Sequence, residues 1–355
     1  MTTNNKQTTE PIQTLEIAAD TTISKMVAFY FDNQAVRVQP QTVYRLDQGG
    51  KRMYYTIDPD DAVTFYTSVT TLIRQTMPTS PYLITWIAQM GEEAAREYSE
   101  ERAHYGTFLH IENSKLTVNG EYDLETLQAA LAAYVEIEKG DPKWIQEWSD
   151  DLKKDVLAWA QFLIDYKVKP IAIEIILTHP DGYAGAIDLV CEMTIEEKAF
   201  IGERYKTGAN AGQPKESKIE KRVLAILDMK SGKKGFWESH EVQLEAYRQM
   251  WNHTYGEERP IEKLYNWAPK DWTGKTPTYH LKDQTDSPNR SKFEHLVKIA
   301  AIERAKKDMR LVIPKGKIEI NKGLQANIVD TDLASFVKEN RMNAMEDTAI
   351  EMEEF

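Results

Sequence analysis

The chain has 355 residues, of which 28% are charged and 41% hydrophobic, and a formal net charge of −12; this suffices for one elaborated α/β core with appendages. No apolar run nears the roughly 20 residues that span a bilayer, and the polar start MTTNNKQTTEPIQT has no h-region, so no membrane association and a cytoplasmic address are expected. The single cysteine, Cys191, excludes an internal disulfide and any four-cysteine zinc or iron–sulfur site, and the acidic balance speaks against a protein that coats nucleic acid over its whole surface.

Residues 1–22, rich in Thr, Asn and Gln without periodicity, are expected to be disordered. A small antiparallel β element follows over 23–63, where MVAFYFDN, AVRVQP, TVYRLD and RMYYTID read as short strands joined by turns such as Asp47-Gln48-Gly49-Gly50. Ser68 or Thr70 caps a short helix, and the segment from Ser80 to Leu116 is helical, with Gly106-Thr107 permitting close packing where His110 turns inward. Residues 123–139 and 151–166 carry helical apolar spacing, as in Leu152, Val156, Trp159, Phe162 and Leu163.

The runs IAIEIILTH, GYAGAIDLVCEM and RVLAILDMK are near-continuous and apolar, as in a sheet covered on both faces, and Cys191 reads as a small buried hydrophobe on the second. Between the second and third lies an insertion over 194–222 whose GANAGQPKES centre reads as a flexible loop, either a DNA-contacting arm or a solvated connection. Basic residues outnumber acids from Arg204 to Lys234, which places a positive patch beside it. An amphipathic helix then carries Gln243 and Tyr247 on one face, four residues apart. The segments IEKLYNWAPKDW and PTYHLKDQ pair as further strands, and SKFEHLVKIAAIERAKKD forms a helix that completes a core over 64–325. Residues 326–355 read as a C-terminal helix and an acidic tail, a docking peptide for a partner or a frayed end.

Two apolar strands each end in an acid, Asp188 and Asp228, and Lys230 follows the second by two residues, on the same side of its strand. Buried carboxylates are costly unless paired or metal-bound, so the acids are expected to share a hard cation, Mg²⁺ or Mn²⁺, with the Met229 carbonyl as a further ligand. Lys230 would orient an attacking water or stabilise developing charge, as phosphodiester hydrolysis requires. Glu174, inside the run AIEIIL, either helps hold metal or water or makes a structural bond.

The order of these pieces resembles the RecB-like branch of the PD-(D/E)XK nuclease superfamily: GTFLH, then Glu174 and GYAGAIDLV, then ILDMKSG, then QLEAY, over about residues 64 to 250. SVTTLI and NWAPKDW also look like phage-type members. The resemblance implies a restriction-endonuclease-like core, an α/β fold whose central mixed β-sheet is flanked by helices. It implies His110, Asp188 and Asp228 as metal ligands, Lys230 as the catalytic lysine, and Gln243 and Tyr247 as supporting residues that contact DNA or the lysine. Arg222, Lys233 and Lys234 of the positive patch are expected to contact DNA as well.

The implied function is a metal-dependent deoxyribonuclease, an exonuclease rather than a site-specific endonuclease, acting in phage or bacterial DNA recombination, repair or replication. For a phage-encoded protein the address is the host cytoplasm. Its partners would be DNA and, through the acidic tail, a single-strand-binding, recombination or replication protein; the alternative is a non-catalytic module that holds DNA ends or a replication partner. The segment between Asp188 and Asp228 is longer than the short hairpin usual in the family, and no P-loop pattern is present, so any motor is another protein.

Overall fold

The computed structural model describes residues 30–38, 41–48, 51–60, 62–204, 206–208, 212–233 and 235–306. The N-terminal stretch 1–22, Lys234, and the C-terminal helix and acidic tail over 326–355 lie outside the described residues. The strands are β1 (Tyr30–Phe31), β2 (Tyr44–Gln48), β3 (Lys51–Ile57), β4 (Val63–Ser68), β5 (Lys169–His179), β6 (Tyr183–Arg204), β7 (Pro214–Met229), β8 (Lys263–Pro269) and β9 (Tyr279–Asp283). The helices are α1 (Val69–Thr76), α2 (Pro81–Met90), α3 (Glu92–Asn119), α4 (Leu127–Glu138), α5 (Trp144–Asp165), α6 (Glu238–Tyr255) and α7 (Lys292–Lys306), with a 3-10 turn over Pro288–Ser291.

These nine strands form one mixed sheet in the order β2-β3-β4-β6-β7-β8-β9, with β5 on the other edge of β6 and β1 on β5. The β4–β6 and β7–β8 pairs are parallel, and the rest are antiparallel. Alternation along β7 explains why both faces must be covered. Val223, Ala225, Leu227 and Met229 enter a core shared with α3, α4 and α5, while Leu224 and Ile226 enter a second core shared with α1, α6 and α7. Trp159 of α5 meets Trp267 of β8 edge-on at 4.8 Å, a contact that adds about 0.5–1.5 kcal/mol to the burial of two large side chains. No helix among the described residues is long and apolar enough to cross a membrane.

The meander β2–β3–β4 is antiparallel and joins the main sheet where Thr67 and Ser68 pair with Tyr183 and Ala184. The N-terminal strands differ from expectation in one way. The segment AVRVQP is not a strand over its described part, residues 35–38. Asp32 turns the chain instead, its side chain accepting from the Gln34 amide at 3.1 Å and its carbonyl from Ala35 at 3.0 Å, and Val36 drops into the α1–α6 core. At the other end of β4, Ser68 caps α1 by accepting the Thr71 amide at 3.1 Å.

Most of the 194–222 insertion is strand: β6 and β7 stay paired as a two-stranded ribbon from Leu189–Leu227 out to Phe200–Glu216, with a last pair at Arg204–Pro214, so Pro214 to Ser217 of the expected GANAGQPKES loop belong to β7, while residues 209–211 at its centre lie outside the described residues. The pairing is supported across the strands, where Lys218 meets Glu196 at 2.6 Å and Lys221 meets Glu197 at 3.7 Å, while Lys167 reaches Glu220 at 2.8 Å. Each such exposed pair contributes about 0–1 kcal/mol at most, and of the basic residues between Arg204 and Lys234 these contacts pair Lys218 and Lys221.

Candidate active site

Where β5, β6 and β7 pass between α3 and α6, the sheet opens into a cleft of about 360 Å³. His110, Glu174, Asp188, Asp228, Met229, Lys230, Gln243 and Tyr247 all line it. Each arrives by a simple route. Asp228 and Lys230 follow Leu224 and Ile226 in the period of the strand and face α6, where Gln243 and Tyr247 occupy one helical stripe. From the opposite layer α3 presents Arg102, Gly106, His110 and Ser114 along one side of the cleft, every fourth residue, over about 18 Å.

The other two acids need a break in period. Ile173 pairs with Leu189 and both face the α3–α5 core, yet Ile175 and its partner Ile187 face the α1–α6 core. Residues two apart in a strand should share a face. Both strands change face between these pairs, at Glu174 and Asp188, and Glu174 has a φ of 53°. A left-handed backbone at a non-glycine residue costs about 1–2 kcal/mol and is retained where the surroundings require it.

Two groups of side chains result. In the first, the imidazole Nδ1 of His110 lies 3.7 Å from Glu174 Oε1 and 3.9 Å from Asp188 Oδ2. One ligand atom from each of these three residues falls within 4.8 Å of the others. The other ring nitrogen of His110 sits 3.2 Å from the Met229 carbonyl, and the Met229 amide donates to Asp188 at 2.7 Å. In the second group, the Lys230 ammonium lies 3.2 Å from Asp228 Oδ2 and donates to Gln243 Oε1 at 3.1 Å. Gln243 donates in turn to the Tyr247 hydroxyl at 2.6 Å. Asp228 lies outside the three-residue group, and its Oδ2 also accepts from Asn266 at 2.7 Å.

The electrostatics follow from this crowding. Burial alone would lower the pKa of His110, but Asp188 and Glu174 outweigh it and raise it to about 9. Burial, with the neighbouring Glu174 carboxylate, raises Asp188 to about 6; burial, with Asp188, raises Asp228 to about 6. Tyr247 is pushed well above its usual value by burial and by the two aspartates, so its hydroxyl stays neutral.

Not every expected residue reaches the cleft. Arg222 pairs with Thr194 on the ribbon, six residues and roughly 20 Å from Asp228. It donates to the Lys167 carbonyl at 2.8 Å and sits 3.5 Å from Glu192. Lys233 does not line the cleft either; three aspartates surround its ammonium. Conversely, Arg45 of β2, Arg52 and Tyr54 of β3, and Arg102 of α3 line the cleft, and only the helical spacing of Arg102 with His110 could have signalled any of them. Asn266 was legible in principle, as a lone amide in the apolar run of β8; it is fully buried and held by Gln284 at 3.1 Å. Neither the protein-family models nor the curated proteins compared with this chain give a match.

Proposed function

We propose that this protein is a Mg²⁺- or Mn²⁺-dependent nuclease that hydrolyses phosphodiester bonds in DNA from strand ends, in recombination, repair or replication, on a restriction-endonuclease-like core. One observation carries the reading: His110, Glu174 and Asp188 converge in the same cleft in which Asp228 and Gln243 hold the Lys230 ammonium.

The donor set fits a divalent cation. Two carboxylates pressed together in a largely buried site repel one another, which is part of why Asp188 is raised, and a cation between them removes that cost. Oxygen donors suit Mg²⁺ or Mn²⁺, and the imidazole favours the latter. His110, Glu174 and Asp188 would hold the ion, with the Met229 carbonyl close by. What a bound cation supplies is neutralisation of charge on the scissile phosphate and a more acidic water.

The chain's own residues supply the rest. Gln243 gives its amide N–H to Tyr247, which leaves its carbonyl oxygen to accept from Lys230. With Asp228 on another side, the ammonium is fixed before substrate arrives, and charge that develops on the phosphate meets a donor that need not reorganise. Arg45, Arg52 and Arg102 on the walls offset backbone phosphates, so a protein of net charge −12 presents its cations where a polyanion enters.

The test is a time course on 5′- and 3′-labelled single- and double-stranded DNA with Mg²⁺, Mn²⁺ or chelator. Asp188→Ala and Lys230→Ala should each lose about 10²–10³-fold in kcat. Arg52→Ala and Arg102→Ala should raise KM and each lower the salt slope of binding by about 1. Full activity in both Asp188→Ala and Lys230→Ala refutes the assignment, and metal-independent binding without cleavage replaces it with a DNA-end binding module.

A further inference from the structure

Lys233 lies three residues past Lys230, in the irregular stretch that joins β7 to α6. Its ammonium is 2.9 Å from Asp271, which follows β8, and 3.6 Å and 3.9 Å from Asp151 and Asp155 of α5. Three carboxylates around one ammonium leave a local negative surplus that repels phosphate, so this lysine is poorly placed to bind nucleic acid. Its partners reach back to the site instead. Asp155 is buried and accepts the Tyr105 hydroxyl of α3 at 2.5 Å. Tyr105 adjoins Gly106, which approaches the same stretch so closely that a Cβ there would lie 3.0 Å from Ser231 Oγ. Ser231 is next to Lys230, and His110 lies four residues beyond Gly106. One short part of α3 therefore touches this stretch at Ser231 and, through Asp155, at Lys233.

We propose that Tyr105, Asp155 and Lys233 form a positioning chain that sets the distance between His110 on α3 and Lys230 on the β7–α6 connection. Lys233 serves the reaction through Lys230, not through the substrate. This rests on the nuclease reading for its consequence, but the chain itself is a structural device that can be measured without activity. Buried Asp155 needs both the Tyr105 hydroxyl and the Lys233 ammonium, and loss of either frees the connection on one side.

The experiment uses the full chain and the variants Lys233→Ala, Lys233→Arg and Asp271→Asn; the last alters an exposed surface carboxylate and keeps the test open if Lys233→Ala does not fold. Hydrogen exchange of amides 231–237 is measured beside kcat, KM and the salt dependence of DNA binding. Lys233→Ala should exchange there at least about 10-fold faster while α3 and α5 keep their protection. Its kcat should fall about 100-fold, the penalty typical of a misplacement near 1 Å, with KM and salt slope unchanged. Lys233→Arg should recover most of both, and Asp271→Asn should give a smaller change in the same direction. Unchanged exchange overturns the proposal. So does a raised KM with a salt slope lower by about 1 and an intact kcat, the signature of a phosphate contact. Faster exchange in Lys233→Ala, in a protein whose wild type cleaves no DNA, supports the positioning chain and refutes the nuclease reading alone.

Discussion

Glu174→Gly and Glu174→Ala remove the same carboxylate but differ in what they do to the backbone. At a φ of 53° a residue with a Cβ carries a penalty of about 1–2 kcal/mol, which alanine keeps and glycine sheds. Glycine loses about 0.5–1 kcal/mol more conformational entropy on folding than alanine does. The glycine variant should therefore be the more stable of the two by roughly 0.5–1 kcal/mol, the reverse of the usual order inside a strand. Urea denaturation in chelator measures this directly: with an m-value of about 3 kcal/mol/M, the midpoints differ by about 0.2–0.3 M. Both variants should bind Mn²⁺ more weakly in calorimetry, since each deletes one of the three converging groups. An alanine variant as stable as the glycine one, or more so, would show that the backbone here stores no strain and that the exchange of faces at Glu174 has another cause.

Two further outcomes follow from particular contacts. Gly106→Ala gains about 1 kcal/mol in helix propensity, so stability should hold or rise, yet its Cβ presses on Ser231 and kcat should drop about 10-fold; Ser231→Gly in the same chain should restore it, and an unrestored double variant refutes the contact. Glu245, buried on α6, is raised by burial but held below its usual pKa overall by Arg248, Gln249 and Arg290. Its folded value lies beneath the unfolded one, so its contribution is complete above about pH 4.3 and is lost as pH falls through the folded pKa. Glu245→Gln should cost about 1–2 kcal/mol at pH 7 and flatten the acid limb of stability against pH, and an unchanged limb counts against the ionised form as the stabilising one.

Most of the fold was legible because it obeys local periods. The unbroken apolar runs of β5, β6 and β7 require cover on both faces, and the helices that provide it announce themselves through stripes such as Leu152, Val156, Trp159 and Phe162. The ribbon was not legible for the opposite reason. Glu196 meets Lys218 and Glu197 meets Lys221 across the strands, and a pairing between positions over twenty apart leaves no trace in either strand alone. The segment after β1 failed similarly: Val36 looks like strand, but the Asp32 turn decides its path.

The site divides along the same line. Asp228 with Lys230, and Gln243 with Tyr247, are pairs whose partners lie two and four residues apart, the periods of a strand and a helix, so the lysine half could be read directly from spacing. The half that gathers His110, Glu174 and Asp188 exists only because two paired strands change face together at a left-handed residue, and nothing in the run AIEIIL forecasts a positive φ at its centre. Met229 joins the halves: its amide holds Asp188, its carbonyl faces His110, and its chain neighbours Asp228 and Lys230 belong to the other group. A residue contributing only its backbone carries no side-chain signature, yet any shift of β7 at this point must move both groups together. That shared dependence is the physical reason to treat the two groups as one site.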